Sequence, residues 1–416
     1  MEPSDVDAPL RVLLVHVWYW PHIGGGNQHV EHIARQLVAR GHQATVWCAD
    51  IPEHDEKRFV RDGVEVIRLP PKRVLGGIDP VVSIKELAMD FDVVHLHDTL
   101  PILIRRSLKR ALKQRIPVVT TFHNDYIKTS RTGKILKRIR WAVQGRRTLH
   151  ASQARIALTP YYADHLKGRG VRKPIDVLPN GFEPVADDAS RPSLLQSNAE
   201  GRPLLVFVGR LSEQKGLDVL MDAWDSLCQH EEPQALLAIA GSGELDQWLD
   251  ARIASSNHPQ SIAKLGRVED SEKRWLFEQA RAVLIPSRFE GLPTVLLEAM
   301  HSGAPTVMAD VNDLGRLVTE PDAGLSITPG DSQELVSAIK TLLQADEHQL
   351  KTWSDNGQEA SKPYLWSHVV DDLLNIYTFI FALDNFPPDF TKQRSCFERS
   401  RSNLSLLNIE KKAERG

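Results

Sequence analysis

The sequence predicts an α/β protein of two domains, each built on a doubly wound parallel sheet. Its 416 residues, 42% of them hydrophobic, are enough for two cores of ordinary size. Short, almost wholly apolar runs alternate with helical patterns along most of the chain, as in a parallel sheet covered on both faces. A segment at 183–203, rich in Asp, Ser and Pro, interrupts this alternation and predicts a linker between the domains.

Composition excludes several classes of protein. The net charge of −3 predicts no general affinity for nucleic acid, so any basic surface must be local. Cys48, Cys228 and Cys396 lie far apart without a CxxC pair, as in a protein of a reducing compartment. The first nine residues are acidic where a signal peptide is basic, and no apolar run approaches the ~20 residues that span a bilayer. We therefore expect a cytoplasmic protein without a transmembrane helix.

The first predicted domain covers residues 10–185. Its strands are expected at 10–17, 44–49, 64–69, 93–96, 118–122, 155–158 and 175–178. The first strand leads into a loop with Gly24, Gly25 and Gly26, followed by a helical pattern at 30–40. The loop fails the dinucleotide fingerprint because His29 stands where its third glycine belongs. The three glycines therefore indicate either a phosphate cradle or a flexible loop.

Histidines lie where two neighbouring strands of this domain end. One strand ends with His95, His97 and Asp98, and the next ends with His123, Asn124 and Asp125. A His-x-His pair at a strand end could ligate a metal, but no clear later set of His and Asp ligands follows. The Asp-Phe-Asp at 90–92 mimics a metal-binding motif yet enters its strand, so we interpret it as a helix-to-strand turn. We expect no metal, and His123 is either functional or structural.

Residues 101–150 differ in charge from the rest of the chain, with fourteen Lys and Arg side chains against one acid, Asp125. Within 134–147 a helical face is apolar and the opposite one is basic. The apolar residues are Ile135, Leu136, Ile139, Ala142 and Val143, with Trp141 beside them. This pattern is typical of a helix in a membrane interface, and equally of a helix packed on the sheet with a solvated basic face. The accumulated charge favours contact with an anionic surface.

The second predicted domain covers residues 200–363, with strands at 204–208, 235–240, 262–268, 282–285 and 304–308. The first strand leads into the loop GRLSEQKG, which is not a Walker A loop because Lys215 precedes its glycine. Arg210 and Lys215 can still converge on one diphosphate, the Arg as a planar fork and the Lys as a point charge. Gly241 lies in a glycine turn after the next strand.

The stretch RFEGLPTVLLEAM at 288–300 follows an apolar run, so a buried strand should deliver Glu290 to a loop at its carboxyl end. Pro293 suits the first position of a helix, and the free amides from Leu292 through Thr294 to Val295 would hold an anion. Glu298 lies one turn further in, where it can accept hydrogen bonds from ribose hydroxyls. Glu290 is expected to face the opposite end of the ligand.

Glu290 and Glu298 resemble the Glu-x7-Glu motif of the retaining family 4 glycosyltransferases, which have the two-domain GT-B fold. The resemblance extends over residues 10–380 and includes the Pro-Asn-Gly-Phe turn at 179–182. It implies two Rossmann-like domains that face each other across a cleft. Residues that it places at the donor are Gly25, Gly26, Arg210, Lys215, Gly241, Val268, Leu292, Pro293, Thr294 and Glu298. It implies that Arg210 and Lys215 form a diphosphate clamp, and that His123 lies near the transferred sugar.

The resemblance implies transfer of a sugar from a nucleotide diphosphate sugar to a glycan or lipid-linked acceptor, with no further cofactor. Attack comes from the face of departure, and the leaving phosphate oxygen accepts the acceptor's proton, so no carboxylate nucleophile is needed. The helix at 364–384 resembles the terminal helix that crosses back to the first domain. Residues 385–416 lack periodicity and are predicted to form a disordered tail.

One loop departs from the family, and two alternatives stay open. Where relatives carry Gly-Gly and then Glu after Asp310, this chain has Val311, Asn312, Asp313, Leu314, Gly315 and Arg316. The sugar, the base and the acceptor are not determined. The alternatives are a nucleotide-sugar epimerase of the same fold and a non-catalytic scaffold bound to anionic membrane through 101–150. We expect the protein on the inner face of the cytoplasmic membrane.

Overall fold

The computed structural model describes residues 9–21, 25–75, 79–123, 138–185, 188–195, 201–229 and 233–385. The chain forms two compact units, one of Met1–Gly181 with Trp366–Gly416 and one of Phe182–Leu365. Each unit contains a parallel sheet, so the predicted α/β class is confirmed. Among the helices in these ranges, none is long and apolar enough to cross a membrane.

The first unit contains an eight-stranded sheet in the order β10-β9-β8-β7-β1-β2-β4-β3. Its strands are β1 Arg11–Val15, β2 Gln43–Ala49, β3 Arg58–Arg61, β4 Val64–Leu69, β7 Val93–His97, β8 Val118–Phe122, β9 Ala154–Ala157 and β10 Asp176–Val177, and a separate hairpin pairs β5 Pro71–Leu75 with β6 Asp79–Val82. Neighbouring strands are parallel except for β3 and β4. The order reverses at β1, where β2 lies on one side and β7 on the other, which creates a ligand crevice at the carboxyl ends.

The antiparallel strand β3 and the hairpin β5–β6 were not predicted. Asp62 and Gly63, which connect β3 to β4, both have positive φ values, 52° and 77°. An Asp-Gly pair between two short strands is a hairpin signal, but β3 is too polar and exposed to stand out by hydrophobicity. The sequence signal for the edge strand β3 is therefore the Asp-Gly turn that follows it, rather than an apolar run.

The second unit contains a six-stranded, wholly parallel sheet in the order β13-β12-β11-β14-β15-β16. Its strands are β11 Leu204–Val208, β12 Leu236–Ala240, β13 Ile262–Gly266, β14 Ala280–Ile285, β15 Thr306–Ala309 and β16 Gly324–Ile327, the last of which was not predicted. Here the order reverses between β11 and β14, and the loops after these strands carry the predicted clamp and Glu290. Val185 and Leu195, in the predicted linker, are buried in the core of this unit.

Helices cover both faces of each sheet. In chain order they are α1 Gly25–Ala39, α2 Ile102–Lys113, α3 Arg146–Ala151, α4 Pro160–Gly168, α5 Leu217–Leu227, α6 Asp246–Ala254, α7 Asp270–Gln279, α8 Thr294–His301, α9 Arg316–Thr319, α10 Ser332–Gln344, α11 Glu347–Ser361 and α12 Trp366–Asn385. The terminal helix α12 belongs to the first unit, where Leu373 and Tyr377 join the core of α1 and the sheet. Residues 386–416, the predicted tail, lie outside the described residues.

Close backbone contacts hold the loops of the second unit together at the carboxyl edge of the sheet. Gly241 has φ 143°, and a Cβ there would lie 1.8 Å from the carbonyl oxygen of Gly209. Gly216 has φ 69°, and its Cβ would lie 2.1 Å from the carbonyl oxygen of Pro286. Only glycine fits such positions, because a side chain would meet backbone that cannot move away. The loops after β11, β12 and β14 therefore converge on one place.

Candidate functional site

Lys215 and Glu290 form an ion pair at the carboxyl edge of the second sheet. The Nζ atom of Lys215 donates to Oε1 of Glu290 at 2.6 Å, and the hydroxyl of Ser287 donates to the same oxygen at 2.7 Å. The side chain of Glu290 is 6% exposed and that of Lys215 is 21% exposed. The sequence assigned Lys215 to the diphosphate clamp and set Glu290 opposite Glu298 on the ligand, but it did not predict a contact between Lys215 and Glu290. The structure brings these two side chains together because the loops after β11 and β14 are neighbours.

Arg210 lies in the loop that also carries Lys215, but its surroundings differ from those of the ion pair. It is exposed and has no hydrogen bond or ion pair within the part of the chain that the structure describes. Arg288, by contrast, is held by both carboxylate oxygens of Asp218. Because a guanidinium offers five donors in a planar fork, Arg210 can receive a phosphate without breaking a contact with protein.

The helix α8 begins one residue later than predicted. Pro293 has φ −74° and ψ 117° and is the residue before the helix, so Thr294 rather than Pro293 is its first member. No side chain caps this end, and Leu292 beside it is buried. The first amides of a helix have no acceptor within it, so those of Thr294 and Val295 can donate to an anion as predicted for this stretch.

Glu298, the predicted ribose acceptor, is paired with a residue that sequence reasoning missed. The Nζ atom of Lys273 on α7 lies 3.1 Å from Oε2 of Glu298 and 3.2 Å from Asp270. Burial lowers the pKa of Lys273, but attraction to Glu298 and Asp270 outweighs it and the pKa is raised. A carboxylate with two oxygens keeps acceptor capacity beside such a partner. No local pattern could have found Lys273, because the contact depends on α7 packing beside α8.

Gly241 and Val268 occupy neighbouring positions on the same edge. The amide of Gly241 donates to the carbonyl oxygen of Gly266 at 2.6 Å, which ties the turn after β12 to the end of β13. Val268 follows two residues later and is half-buried, beyond the strand that was expected to contain it. Both predicted donor residues thus lie at strand ends, where ligands of parallel sheets bind.

The atypical loop at 311–316 is tied to Glu290. The side-chain amide of Asn312 donates to the main-chain carbonyl of Glu290 at 2.9 Å. Asn312 and Asp313 have φ values of 56° and 60°, in the left-handed region that glycine adopts most easily. Asn and Asp are the other residues that tolerate this backbone. Asn312 and Asp313 therefore stand in a backbone conformation that glycine would also adopt.

Among the described residues of the first unit, five histidines meet at the carboxyl edge of the sheet. They are His16 after β1, His29 on α1, His95 and His97 on β7, and His123 after β8. The Nδ1 atom of His97 lies 3.3 Å from Nε2 of His123, and Nδ1 of His29 lies 2.6 Å from Oδ1 of Asn180. Sequence reasoning identified the strand-end histidines but missed His16 and His29, which only the sheet order brings beside them.

These imidazoles are uncharged at neutral pH. Burial lowers the pKa of His29 to about 3. Burial also lowers the pKa of His97 and His123 well below the usual value, and the neighbouring imidazoles lower it further. His123 is half-buried. A neutral imidazole has one donor and one acceptor, which suits it to hold a hydroxyl group.

The other glycine and acidic motifs of the first unit have structural explanations. Gly25 and Gly26 are the first residues of α1 rather than parts of a loop. The first amides of a helix need no partner within it, so glycines are tolerated there and can still meet an anion. Asp90 and Asp92 lie before β7 and pair with Arg11 at 2.5 and 2.8 Å. The Asp-Phe-Asp sequence thus stabilises the start of β1.

The basic segment at 101–150 has exposed apolar side chains. Ile139 is 55% exposed and Val143 54%, while Trp141 is buried beneath the guanidinium of Arg169. Arg140 donates to Asp79 at 2.7 Å. Arg106 donates to the carbonyl of Val82 at the end of β6, and Arg110 donates to two carbonyls after that strand. The exposed cations are Arg105, Lys109, Lys113, Arg115, Arg138, Arg146 and Arg147. Lys134, Ile135, Leu136 and Lys137, which were included in the predicted amphipathic helix, lie outside the described residues.

Two protein families match this chain. The family described as Glycosyltransferase Family 4 matches residues 23–185, and that described as Glycosyl transferases group 1 matches residues 194–360. Among similar proteins, the glycogen synthase of Mycobacterium tuberculosis is 25% identical over 404 residues, covering 88% of this chain and 94% of that protein. The phosphatidyl-myo-inositol mannosyltransferase of Mycobacterium leprae is 28% identical over 366 residues, covering 85% and 92%.

Solved structures share the fold. The Anabaena protein Alr3699/HepE in complex with UDP-glucose has a TM-score of 0.68 at 21% identity, covering 89% of this chain and all (100%) of that one. The sucrose-phosphate synthase from Thermosynechococcus elongatus has a TM-score of 0.67 at 20% identity, covering 90% and 100%. At this level of identity the likeness is one of architecture.

Proposed function

Because this chain belongs to the retaining family 4 glycosyltransferases of the GT-B fold, we propose that it moves a hexose-type sugar from a nucleoside diphosphate to a glycan or lipid-linked acceptor. The observation that carries the proposal is the carboxyl edge of the second sheet. There Arg210, Lys215 and the start of α8 offer cations and free amides to one anion, with Glu290 and Glu298 as acceptors for hydroxyl groups.

The leaving diphosphate gains negative charge as its bond to the sugar breaks. Arg210 and the amides of Thr294 and Val295 have no competing partner among the described residues and can receive that charge directly. Lys215 must leave Glu290 or share itself between the two. A diphosphate carries more charge than a carboxylate, so donor binding draws Lys215 toward the phosphate and frees an oxygen of Glu290 for the sugar hydroxyls.

Retention without a second displacement follows from attack on the same face that the leaving group departs from. The acceptor attacks from the face that the diphosphate leaves, and the leaving oxygen takes the acceptor's proton, so the protein supplies position and charge rather than a nucleophile. In the first unit, the neutral imidazole of His123 is suited to hold a hydroxyl of the sugar or the acceptor. Under this proposal no metal or other cofactor is required.

The acceptor is proposed to lie at a membrane surface. Support comes from the exposed side chains of Ile139 and Val143, which stand beside exposed cations in an otherwise acidic protein. A relative named for mannosyl transfer to phosphatidyl-myo-inositol acts on such an acceptor. We place this protein on the inner face of the cytoplasmic membrane, held there reversibly by charge and a small apolar contact.

A panel of nucleotide sugars tests the donor. The purified chain is mixed with UDP, GDP and ADP sugars, its melting temperature is recorded, and transfer of labelled sugar to a membrane extract is measured. A donor at a hundredfold excess over its dissociation constant stabilises by ~2.7 kcal/mol. We expect one base to stabilise wild type, Arg210→Ala to lose most of that shift, and Lys340→Ala, exposed on α10, to keep it.

Three results would contradict the proposal. If a nucleotide sugar is converted to an isomer in the absence of any acceptor, the protein is an epimerase. If no nucleotide sugar stabilises the protein while the membrane interaction persists, it is a scaffold. If product is formed, its anomeric configuration by NMR must match that of the donor; inversion would overturn the retaining mechanism.

A further inference from the structure

Three of the histidines in the first unit direct nitrogen atoms toward one another. One nitrogen from each of His29, His97 and His123 lies within 4.8 Å of the other two. The nearest pair, Nδ1 of His97 and Nε2 of His123, is 3.3 Å apart. A tetrahedral zinc ion with bonds of 2.0–2.1 Å separates its ligand atoms by about 3.3 Å. Two of the three imidazoles are therefore already at the spacing that such an ion requires.

His95, on the same strand, shows how a structural histidine differs. Its Nδ1 lies 2.6 Å from the hydroxyl of Tyr377, and its Nε2 lies 2.7 Å from that of Thr121, so both nitrogens have partners. In His97 the Nε2 atom is buried without a hydrogen-bond partner among the described residues. A buried polar atom left unpaired is unfavourable, so the protein's hydrogen bonds satisfy only one nitrogen of His97. That nitrogen, Nδ1, faces His123 and is the one that an ion would take.

The third imidazole is oriented by a neighbour. Nδ1 of His29 donates to Oδ1 of Asn180 at 2.6 Å, which leaves Nε2 with its lone pair free. Metal-binding histidines characteristically donate their other ring nitrogen to an oxygen in this way. Since His29 is 3% exposed and His123 only half-buried, an ion can enter from the side of His123.

We propose that His29, His97 and His123 bind a divalent transition-metal ion, with Zn²⁺ as the best match. Three neutral nitrogen ligands suit zinc and similar ions, whereas Mg²⁺ and Ca²⁺ require oxygen. Three protein ligands leave a fourth position open to water or a hydroxyl group. The ring nitrogen of His29 lies within 4.8 Å of the nitrogens of His97 and His123, and a rotation of its side chain brings it to bonding distance.

An ion at this site should inhibit the enzyme. Coordination occupies the nitrogen of His123 that would otherwise meet a sugar or acceptor hydroxyl. This consequence rests on the proposed function, whereas binding itself does not. Zinc would then act on an enzyme that needs no metal, and a chelator would restore rather than abolish its activity.

Direct binding tests the site. The full chain is treated with chelator, freed of it, and titrated with Zn²⁺ against a chromophoric competitor, and Co²⁺ is added separately because its visible absorption reports tetrahedral nitrogen ligands. We expect one ion per chain, no competition by Mg²⁺, and a loss of affinity of about tenfold or more in His29→Gln, His97→Gln and His123→Gln. Asn180→Ala should weaken binding by about 10–100-fold, the usual effect of losing the group that orients a ligand.

The control is His301→Gln, which removes a half-buried histidine from the second unit and should bind zinc as wild type does. His123 is only half-buried, so His123→Gln should still fold. This variant therefore tests the site even if substitution of the buried His97 prevents folding. Equal zinc affinity in wild type and His123→Gln would overturn the proposal, as would a Co²⁺ spectrum without tetrahedral character. Neither result would affect the proposed sugar transfer.

Discussion

Glu290 accepts three hydrogen bonds at the carboxyl edge of the second unit's sheet. Its carboxylate accepts from Lys215 and Ser287, and its main-chain carbonyl accepts from Asn312. A residue that is 6% exposed and holds a charge depends on such partners, because an unpaired buried carboxylate is unfavourable. Substitutions at this edge therefore affect stability and catalysis in different proportions, according to which partner they remove.

Arg210→Ala and Lys215→Ala should separate these two effects. Both should lower kcat by ~10²–10³, the usual effect of losing a charge that stabilises a leaving group. Arg210→Ala should leave stability almost unchanged, since no partner is lost. Lys215→Ala should also lower the free energy of unfolding by about 1.5–3 kcal/mol, because Glu290 loses its counter-ion. Kinetics and denaturant unfolding measure the two, with Lys340→Ala as control, and near-normal turnover in both variants would exclude the clamp.

Glu290→Gln and Glu298→Ala should affect different kinetic constants. Glu290→Gln keeps the shape but removes the charge near the sugar, so kcat should fall more than nucleotide affinity. Glu298→Ala removes the ribose acceptor and leaves Lys273 without its nearest carboxylate, so the Kd of the nucleotide should rise more than kcat falls. Calorimetry of nucleoside diphosphate binding and steady-state kinetics distinguish the two. Identical changes in both constants for both variants would mean that the donor lies elsewhere.

At the scale of elements, backbone contact between loops places the site. The turn between β11 and α5 packs on the end of β14 because Gly216 approaches the carbonyl of Pro286 without a side chain. The 3-10 turn Glu213–Lys215 ends at this glycine, so its position also determines where Lys215 lies. Helices and strands provide the rigid frame, and a single close approach aligns two loops from different parts of the chain.

Gly216→Ala should therefore be compared with Gly330→Ala. Both glycines have left-handed backbones, with φ of 69° and 87°, so both substitutions should carry a conformational cost of about 1–2 kcal/mol. Only at Gly216 does the new Cβ meet backbone, 2.1 Å from Pro286, whereas nothing lies within 4 Å at Gly330. Gly216→Ala should lose more stability and most of its activity. Equal melting temperatures for the two variants would show that the contact is not tight.

The exposed apolar face before α3 should mediate reversible binding to anionic vesicles. Near such a surface each basic residue contributes on the order of 1 kcal/mol, and salt screens the attraction. Changing Arg138, Arg146 and Arg147 to Gln should reduce co-sedimentation at low salt, as should Ile139→Gln with Val143→Gln. The control changes Lys340, Lys351 and Lys362, exposed cations of the second unit, to Gln. If all variants sediment equally, the basic face is only solvated and a soluble acceptor becomes the better proposal.

At the scale of the whole molecule, the groups proposed to meet the charge of the donor all lie in one unit. Arg210, Lys215 and the start of α8 all belong to Phe182–Leu365. We expect activity to survive EDTA, without gain from added Mg²⁺ or Mn²⁺, since these groups take the place of a metal at the diphosphate. Initial rates before and after chelation measure this. Loss of activity with EDTA and rescue by Mg²⁺ would show that the clamp is insufficient.

The sequence by itself determined the class of fold and the positions of most strands, whereas the diphosphate clamp of Arg210 and Lys215 stays a prediction. Buried parallel strands are short apolar runs, so they can be recognised from the local sequence without knowledge of the sheet. The strands at 64–69, 118–122 and 204–208 were predicted with their observed ends. Arg210, Lys215 and Glu290 follow strands, and Glu298 lies in the helix that comes after Glu290. These local positions alone predict that the four residues lie at the ligand edge of a sheet.

Only the tertiary structure decided which of these residues meet. Lys215 and Glu290 are 75 positions apart, and they form an ion pair because β11 and β14 are neighbours in the sheet. In the same way β1, β7 and β8 bring imidazoles together that no spacing in the sequence connects. A periodic pattern encodes burial and direction along one element, whereas contacts between strand ends depend on the order of the strands. That order is determined by the packing of the whole sheet.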